Sequence, residues 1–93
     1  MDSQILDIWI FHGAGGCFSS GVFTTKKKAE DWINKHNLTG VLTKYPLNEG
    51  VYDWALNNDF FEVRKEDHKK PEFIQRFTTA SQEHYHYEEG KLD

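Results

Sequence analysis

Two short stretches of the chain place apolar side chains at helical spacing, and each is centred on a tryptophan. Ala29, Trp32, Ile33 and His36 follow i, i+3, i+4, i+7, and Val51, Trp54 and Ala55 begin the same pattern again. Around them lie short runs that read as strands. The pattern predicts an α+β fold, with a small, mainly antiparallel sheet packed against one longer and one short helix. Residues 1–93 are expected to form a single compact domain, with the indoles of Trp32 and Trp54 anchoring one interior.

Ile5 to Phe11 reads as a strand with Leu6, Ile8 and Ile10 on one face and Trp9 and Phe11 on the other. Apolar residues on both faces mark a central strand. Gly13, Gly15 and Gly16 interrupt it, and Cys17 to Phe23 resumes as a second strand across a hairpin connection. Thr24 or Thr25 is a natural N-cap for a helix that runs to about His36, with Asn37 suited to a left-handed cap. Lys26, Lys27 and Lys28 oppose the helix dipole and belong on an exposed face. Gly40 to Tyr45 is a further strand, stopped by Pro46. Asn48, Glu49 and Gly50 form a turn before a helix over Val51 to Asn57. Phe60 to Val63 is expected to be extended, Arg64 to Lys70 a charged loop ended by Pro71, and Phe73 to Thr78 and His84 to Tyr87 two closing strands.

Charge narrows the function classes. The net charge is −4, and the basic runs are interrupted by Glu30 and Asp31, then by Glu66 and Asp67. Nucleic-acid binding requires clustered basic residues, so direct DNA or RNA contact is not expected. Cys17 is the only cysteine, which excludes an internal disulfide and a multi-cysteine zinc site. No apolar run reaches membrane-spanning length and no basic stretch leads into one, so a soluble, cytoplasmic protein is expected. Aromatic residues make up 15 % of so short a chain that most of them belong in packing.

Several constellations carry potential chemistry. His12-Gly13-Ala14-Gly15-Gly16 resembles the His-Gly-Gly oxyanion loop of lipases and esterases, but no G-x-S-x-G elbow accompanies it and a hairpin turn explains the glycines more simply. His84 and His86 form an H-x-H pair that points to one face of a strand, where two imidazoles share a metal ion. His12 or His68 is a possible third ligand, with Glu83 or Glu88 near in sequence. The simpler reading is a polar strand face with Tyr85 and Tyr87 packed on its other side. Cys17 beside His12 is read as a small buried residue rather than a nucleophile, and His36 as a helix-end residue capping carbonyls. Tyr52, Trp54, Phe60 and Phe61 cannot all point inward from one short helix and the segment after it. Core packing is the favoured reading for these residues, and an exposed apolar patch of the kind that marks a protein partner is the alternative.

Beyond these patterns, Gly21-Val22-Phe23, Lys28-Ala29-Glu30 with Trp32-Ile33, and Leu42-Thr43-Lys44-Tyr45-Pro46-Leu47 are joined by Gly50-Val51-Tyr52-Asp53-Trp54-Ala55 and Ser81-Gln82-Glu83-His84-Tyr85-His86-Tyr87. With these residues the chain resembles a family of short bacterial domains known only as a domain of unknown function. The resemblance covers most of the chain and implies a shared fold. It carries no activity and no catalytic residues.

Two functions follow as expectations. The first is a small acidic protein-binding module, an inhibitor or immunity-type protein that blocks a toxin or nuclease, with no cofactor and no catalytic set. Its expected contact residues are Tyr52, Asp53, Phe60, Phe61, Glu62, Glu83, Tyr85, Glu88 and Glu89. The alternative is a metal- or small-molecule-binding domain organised by His84 and His86, with His12 as a further ligand. A homodimer that covers the second face of the strand at Trp9 is a third arrangement.

Overall fold

A computed structural model describes residues 7–93, so the expectations for Ile5 and Leu6 lie outside the described residues. Contacts divide the chain into two units, residues 7–47 with Gln82–Asp93, and Asn48–Ser81. The first holds the strands β1 (Asp7–Gly13), β2 (Gly21–Phe23), β3 (Gly40–Pro46), β4 (His84–Glu88) and β5 (Lys91–Leu92), and the helix α1 (Lys26–His36). The second holds α2 (Val51–Asn57), a 3-10 turn at Glu66–Lys69 and the one-turn helix α3 (Pro71–Ile74). The α+β class holds, with the short helix α2 in the second unit.

The sheet runs β2-β1-β3-β4-β5, and every pairing is antiparallel. Trp9 pairs with Phe23 and Lys44, Phe11 with Leu42, and Leu42 in turn with Tyr85. Strand alternation therefore brings Trp9, Phe11, Leu42, Tyr85 and Tyr87 to one face. Ala29 and Ile33 of α1 join that core, with Phe23, Trp32, Leu38 and Tyr85 packed against its rim. The opposite face carries Ile8 and Ile10, both half-buried, so β1 is apolar on both sides as its sequence indicated.

Helix α1 begins and ends where its sequence placed the boundaries. Thr25 is extended and its Oγ1 accepts from the Lys28 amide at 3.2 Å. Asn37 takes the left-handed conformation at φ 56°, and the Leu38 amide donates back to the Ile33 carbonyl at 3.0 Å. Lys26 and Lys27 offset their position at the positive end of the helix by pairing with Glu30 at 3.7 Å and Asp31 at 3.1 Å. Among the described residues His36 caps no carbonyl; its ring lies edge-on to Trp32 at 5.9 Å.

Gly40 sets the close approach of β3 to β1. A Cβ there would collide with the His12 carbonyl oxygen, and would lie 2.7 Å from the Phe11 ring and 2.8 Å from Gly13 Cα.

Other expectations change. Only Gly21–Phe23 of the expected Cys17–Phe23 strand pairs with β1, because residues 14–20 form the connecting loop and Cys17 is exposed rather than buried. Phe60 to Val63 forms no strand, and part of the charged loop winds into the 3-10 turn. Phe73 to Thr78 is not a strand: Pro71 starts α3 instead of ending a loop, since the first turn of a helix needs no proline N–H. The two-residue strand β5 has no sequence signal.

Trp32 and Trp54 pack in separate units. Trp32 meets Phe11 at 5.9 Å and Phe23 at 5.4 Å, whereas Trp54 meets Phe60 at 5.2 Å. Both indoles are half-buried.

Candidate functional site

The Asn48–Ser81 unit is built around rings. Tyr52 of α2, Phe61, His68 of the 3-10 turn, Phe73 of α3 and Phe77 form one aromatic cluster. Its ring centroids are 4.9 Å apart for Phe61 and Phe77, 5.6 Å for Tyr52 and Phe77, and 4.7 Å for His68 and Phe73. Two hydrogen bonds fix it: the Tyr52 hydroxyl donates to the His68 carbonyl at 2.8 Å, and the Arg64 amide donates to His68 Nδ1 at 3.2 Å. The second bond places the imidazole proton of neutral His68 on Nε2. The Phe73 and Phe77 ring centroids lie 5.8 Å apart.

The rings do not close over one another. Phe60, Phe61, Phe73, Arg76, Phe77, Thr78 and Thr79 line a cleft of about 510 Å³, within the range of ligand sites. Phe60 and Phe61 also line a second hollow with Asp59, Glu62, Arg64 and His68. Phe60 keeps 49 % of its surface exposed. The left-handed Asp59 at φ 61° and the bond from the Phe60 amide to the Ala55 carbonyl at 2.8 Å turn the chain out of α2 at this point.

Of the expected contact residues, Tyr52, Asp53, Phe60, Phe61 and Glu62 belong to this unit. Tyr52 and Phe61 are half-buried in the cluster, Asp53 is exposed, and Glu62 pairs with Arg64 at 2.9 Å. Arg76, Phe73, Phe77, Thr78 and Thr79 were not anticipated. The Phe73/Phe77 spacing was the one signal for them; it puts both rings on one face of a strand as of a helix, and neither reading connects them to Phe60 and Phe61.

Glu83, Tyr85, Glu88 and Glu89 belong to the sheet unit. The Tyr85 hydroxyl donates to Glu83, and Lys44 lies 3.5 Å from the same carboxylate. The Tyr85 bond holds the Glu83 carboxyl below its ordinary value; burial opposes it, the Lys44 charge and bond add to the lowering, and the same Tyr85 bond raises the Tyr85 phenol. The Lys26 ammonium sits 3.9 Å over the Tyr85 ring. Tyr85 is thus held in place by its neighbours. Glu88 and Glu89 are exposed at the β4–β5 turn and line a polar hollow with Asn37 and Lys91.

The histidine pair lies on the sheet face opposite the core. The His84 and His86 rings are 5.5 Å apart at 79°, and His84 Nδ1 bonds the Gln82 carbonyl at 2.7 Å. His12 pairs with Val41, which pairs with His86, so His12 is two strands away on the same face. Its Nε2 bonds the Gly16 carbonyl at 2.7 Å. Among the described residues, no three His, Cys, Asp or Glu side chains converge as a metal site.

The glycine loop does not form an oxyanion hole. Its Ala14 amide bonds the Thr39 carbonyl at 2.9 Å and its Gly16 amide bonds the Gly13 carbonyl at 3.0 Å, so these donors are engaged in the turn. The loop presents Phe18 with 85 % of its surface exposed. Among the described residues, no helix is long and apolar enough to cross a membrane.

Comparison with curated proteins and with solved structures returns no match. A family model does match, over residues 8–93, and its description is "Domain of unknown function (DUF7710)". That span takes in both units and nearly the whole sequence, and by it the chain belongs to this family of domains of unknown function.

Proposed function

We propose that this chain is a small acidic protein-binding module that acts by covering a surface of another protein, in the manner of an inhibitor or an immunity-type protein that blocks a toxin or nuclease. One observation carries the reading: the aromatic cleft in Asn48–Ser81, whose rings pack against one another yet leave Phe60 half in solvent. Contiguous aromatic surface on a small domain favours a partner, because aromatic anchors dominate binding energy at interfaces. Phe60 and Phe61 are the anchors, with Tyr52 behind them and Asp53 and Glu62 exposed beside them in sequence. On the other unit, Glu88 and Glu89 add negative charge that steers a basic partner. An exposed free thiol at Cys17 suits a reducing bacterial cytoplasm as the place of action.

Affinity capture with the tagged chain and with Phe60→Ala tests this directly. A protein retained by the native chain, lost from the variant, and shown to bind the purified chain supports the reading. If every retained protein is held equally by Phe60→Ala, the cleft is not the contact surface.

A second reading rests on the shared face of His84 and His86, which would organise a metal or small-molecule site. Protein purified without an affinity tag should then carry stoichiometric metal that the double variant His84→Ala/His86→Ala loses. Metal content unchanged by that variant excludes it.

A further inference from the structure

Arg76 is the single charged residue on the lining of the aromatic cleft. Of the four other cations of its unit, Lys65 lies outside the cleft lining and three are paired: Arg64 with Glu62 at 2.9 Å, Lys69 with Glu66 at 3.6 Å, and Lys70 with Asp67 at 2.9 Å. No carboxylate among the described residues pairs with Arg76. Its Nε donates to the Glu72 carbonyl at 3.0 Å, one turn back. That bond fixes the root of the guanidinium and leaves both terminal nitrogens to another acceptor.

The rings around it are Phe60, Phe61, Phe73 and Phe77. An apolar side chain entering the cleft is buried against them, and an acceptor close to that side chain comes within reach of the planar guanidinium. Arginine matches a carboxylate in two parallel hydrogen bonds, which a neutral amide reproduces poorly and an ammonium not at all. Charge complementarity therefore selects one kind of occupant.

We propose that the cleft receives a segment of a partner protein in which an aromatic or large aliphatic side chain stands next to a carboxylate. The apolar group enters among Phe60, Phe61, Phe73 and Phe77, and the carboxylate pairs with Arg76. This inference rests on the protein-binding reading and names the chemistry of the partner at that site. An acidic segment lacking the apolar group has no anchor, and a basic segment is repelled by Arg76.

Titration of the isotopically labelled full chain, followed by amide shifts, distinguishes these cases. The probes are acetyl-Gly-Phe-Glu-Gly-amide, its Gln and Lys counterparts at the Glu position, and N-acetylphenylalanine as a free acid. The Glu peptide should shift amides of residues 60, 61 and 73–77 and bind roughly three- to fivefold more tightly than the Gln peptide, as expected for an exposed ion pair. The Lys peptide should bind more weakly than either. Arg76→Gln should abolish the Glu-over-Gln preference without altering spectral dispersion elsewhere. Equal binding of Glu and Gln peptides, a preference that survives Arg76→Gln, or shifts with no peptide at all would overturn the proposal. Binding of the free acid alone would also overturn it and assign the cleft to small apolar acids. In partner capture, loss with Phe60→Ala but not with Arg76→Gln defeats this inference and leaves the protein-binding reading intact. Loss with neither variant defeats that reading.

Discussion

The two units of this chain use their aromatic residues in opposite ways. In the sheet unit, Trp9, Phe11 and Tyr87 are buried with Ala29, Ile33 and Leu42 in one continuous core. In Asn48–Ser81, Ala55 is the buried hydrophobic residue, while Tyr52, Phe61, Phe73 and Phe77 are each half-buried and packed mainly against other rings. A strand pair and a helix supply opposing surfaces that cover a side chain completely. Short helices joined by loops cover only one side of it. The sheet unit therefore encloses its aromatic rings, and the aromatic unit leaves its rings partly in solvent.

The largest effect that sharpens this contrast is expected from Leu42→Ala, which removes a fully buried side chain from the middle strand. A cost of about 2–5 kcal/mol in chemical denaturation is expected. Phe60→Ala should cost less than Leu42→Ala, because about half of the Phe60 surface is already in solvent. Equal costs for the two would break the comparison. Hydrogen exchange should show the same ordering, with amides of β1 and β3 slowest and those of Asn48–Ser81 faster.

Alkaline titration probes the sheet unit. Burial, then a hydrogen bond to Glu30, raises the Tyr87 phenol above its ordinary value of 10.0. The neutral form is favoured by folding, so the stability it contributes is complete below pH 10 and is lost as pH rises toward the raised folded value. Its contribution to the slope is about 1.4 kcal/mol per pH unit, and Tyr87→Phe should remove that contribution while the raised Tyr85 phenol keeps its own. Thr25→Ala, which deletes the α1 cap, should lower stability by about 1 kcal/mol in the same assay.

The smallest effect concerns Glu83. Its folded carboxyl is held low chiefly by the Tyr85 hydroxyl, so its contribution is present above the ordinary value of 4.5 and lost as pH falls through the lower folded value. Tyr85→Phe should move the Glu83 carboxyl resonance back toward that ordinary value in an NMR titration.

Much of the sheet unit was legible in the sequence because its signals are local. Thr25 and Asn37 mark boundaries through their own backbone preferences, and Trp9 and Phe11 alternate with Ile8 and Ile10 on a strand. The aromatic unit was legible only as far as α2. Pro71 reads equally as a stop and as a helix start, and the arrangement that follows decides between them. The cleft depends on Phe60 and Phe61 meeting Phe73, Arg76 and Phe77 across a charged loop, which no periodicity reports. Cys17 was misplaced because apolar neighbours suggested a strand, whereas the preceding glycines extend the turn through Ser20.

Gly40 makes a demand on every sequence that shares this sheet. With the His12 carbonyl and the Phe11 ring pressed against the space above its Cα, the position tolerates hydrogen and nothing larger unless the strands move apart. An orthologue bearing alanine or valine there must have slid or splayed its β1–β3 ladder, and an inventory of natural variation at this one site would reveal whether the pairing observed here is common to the whole lineage.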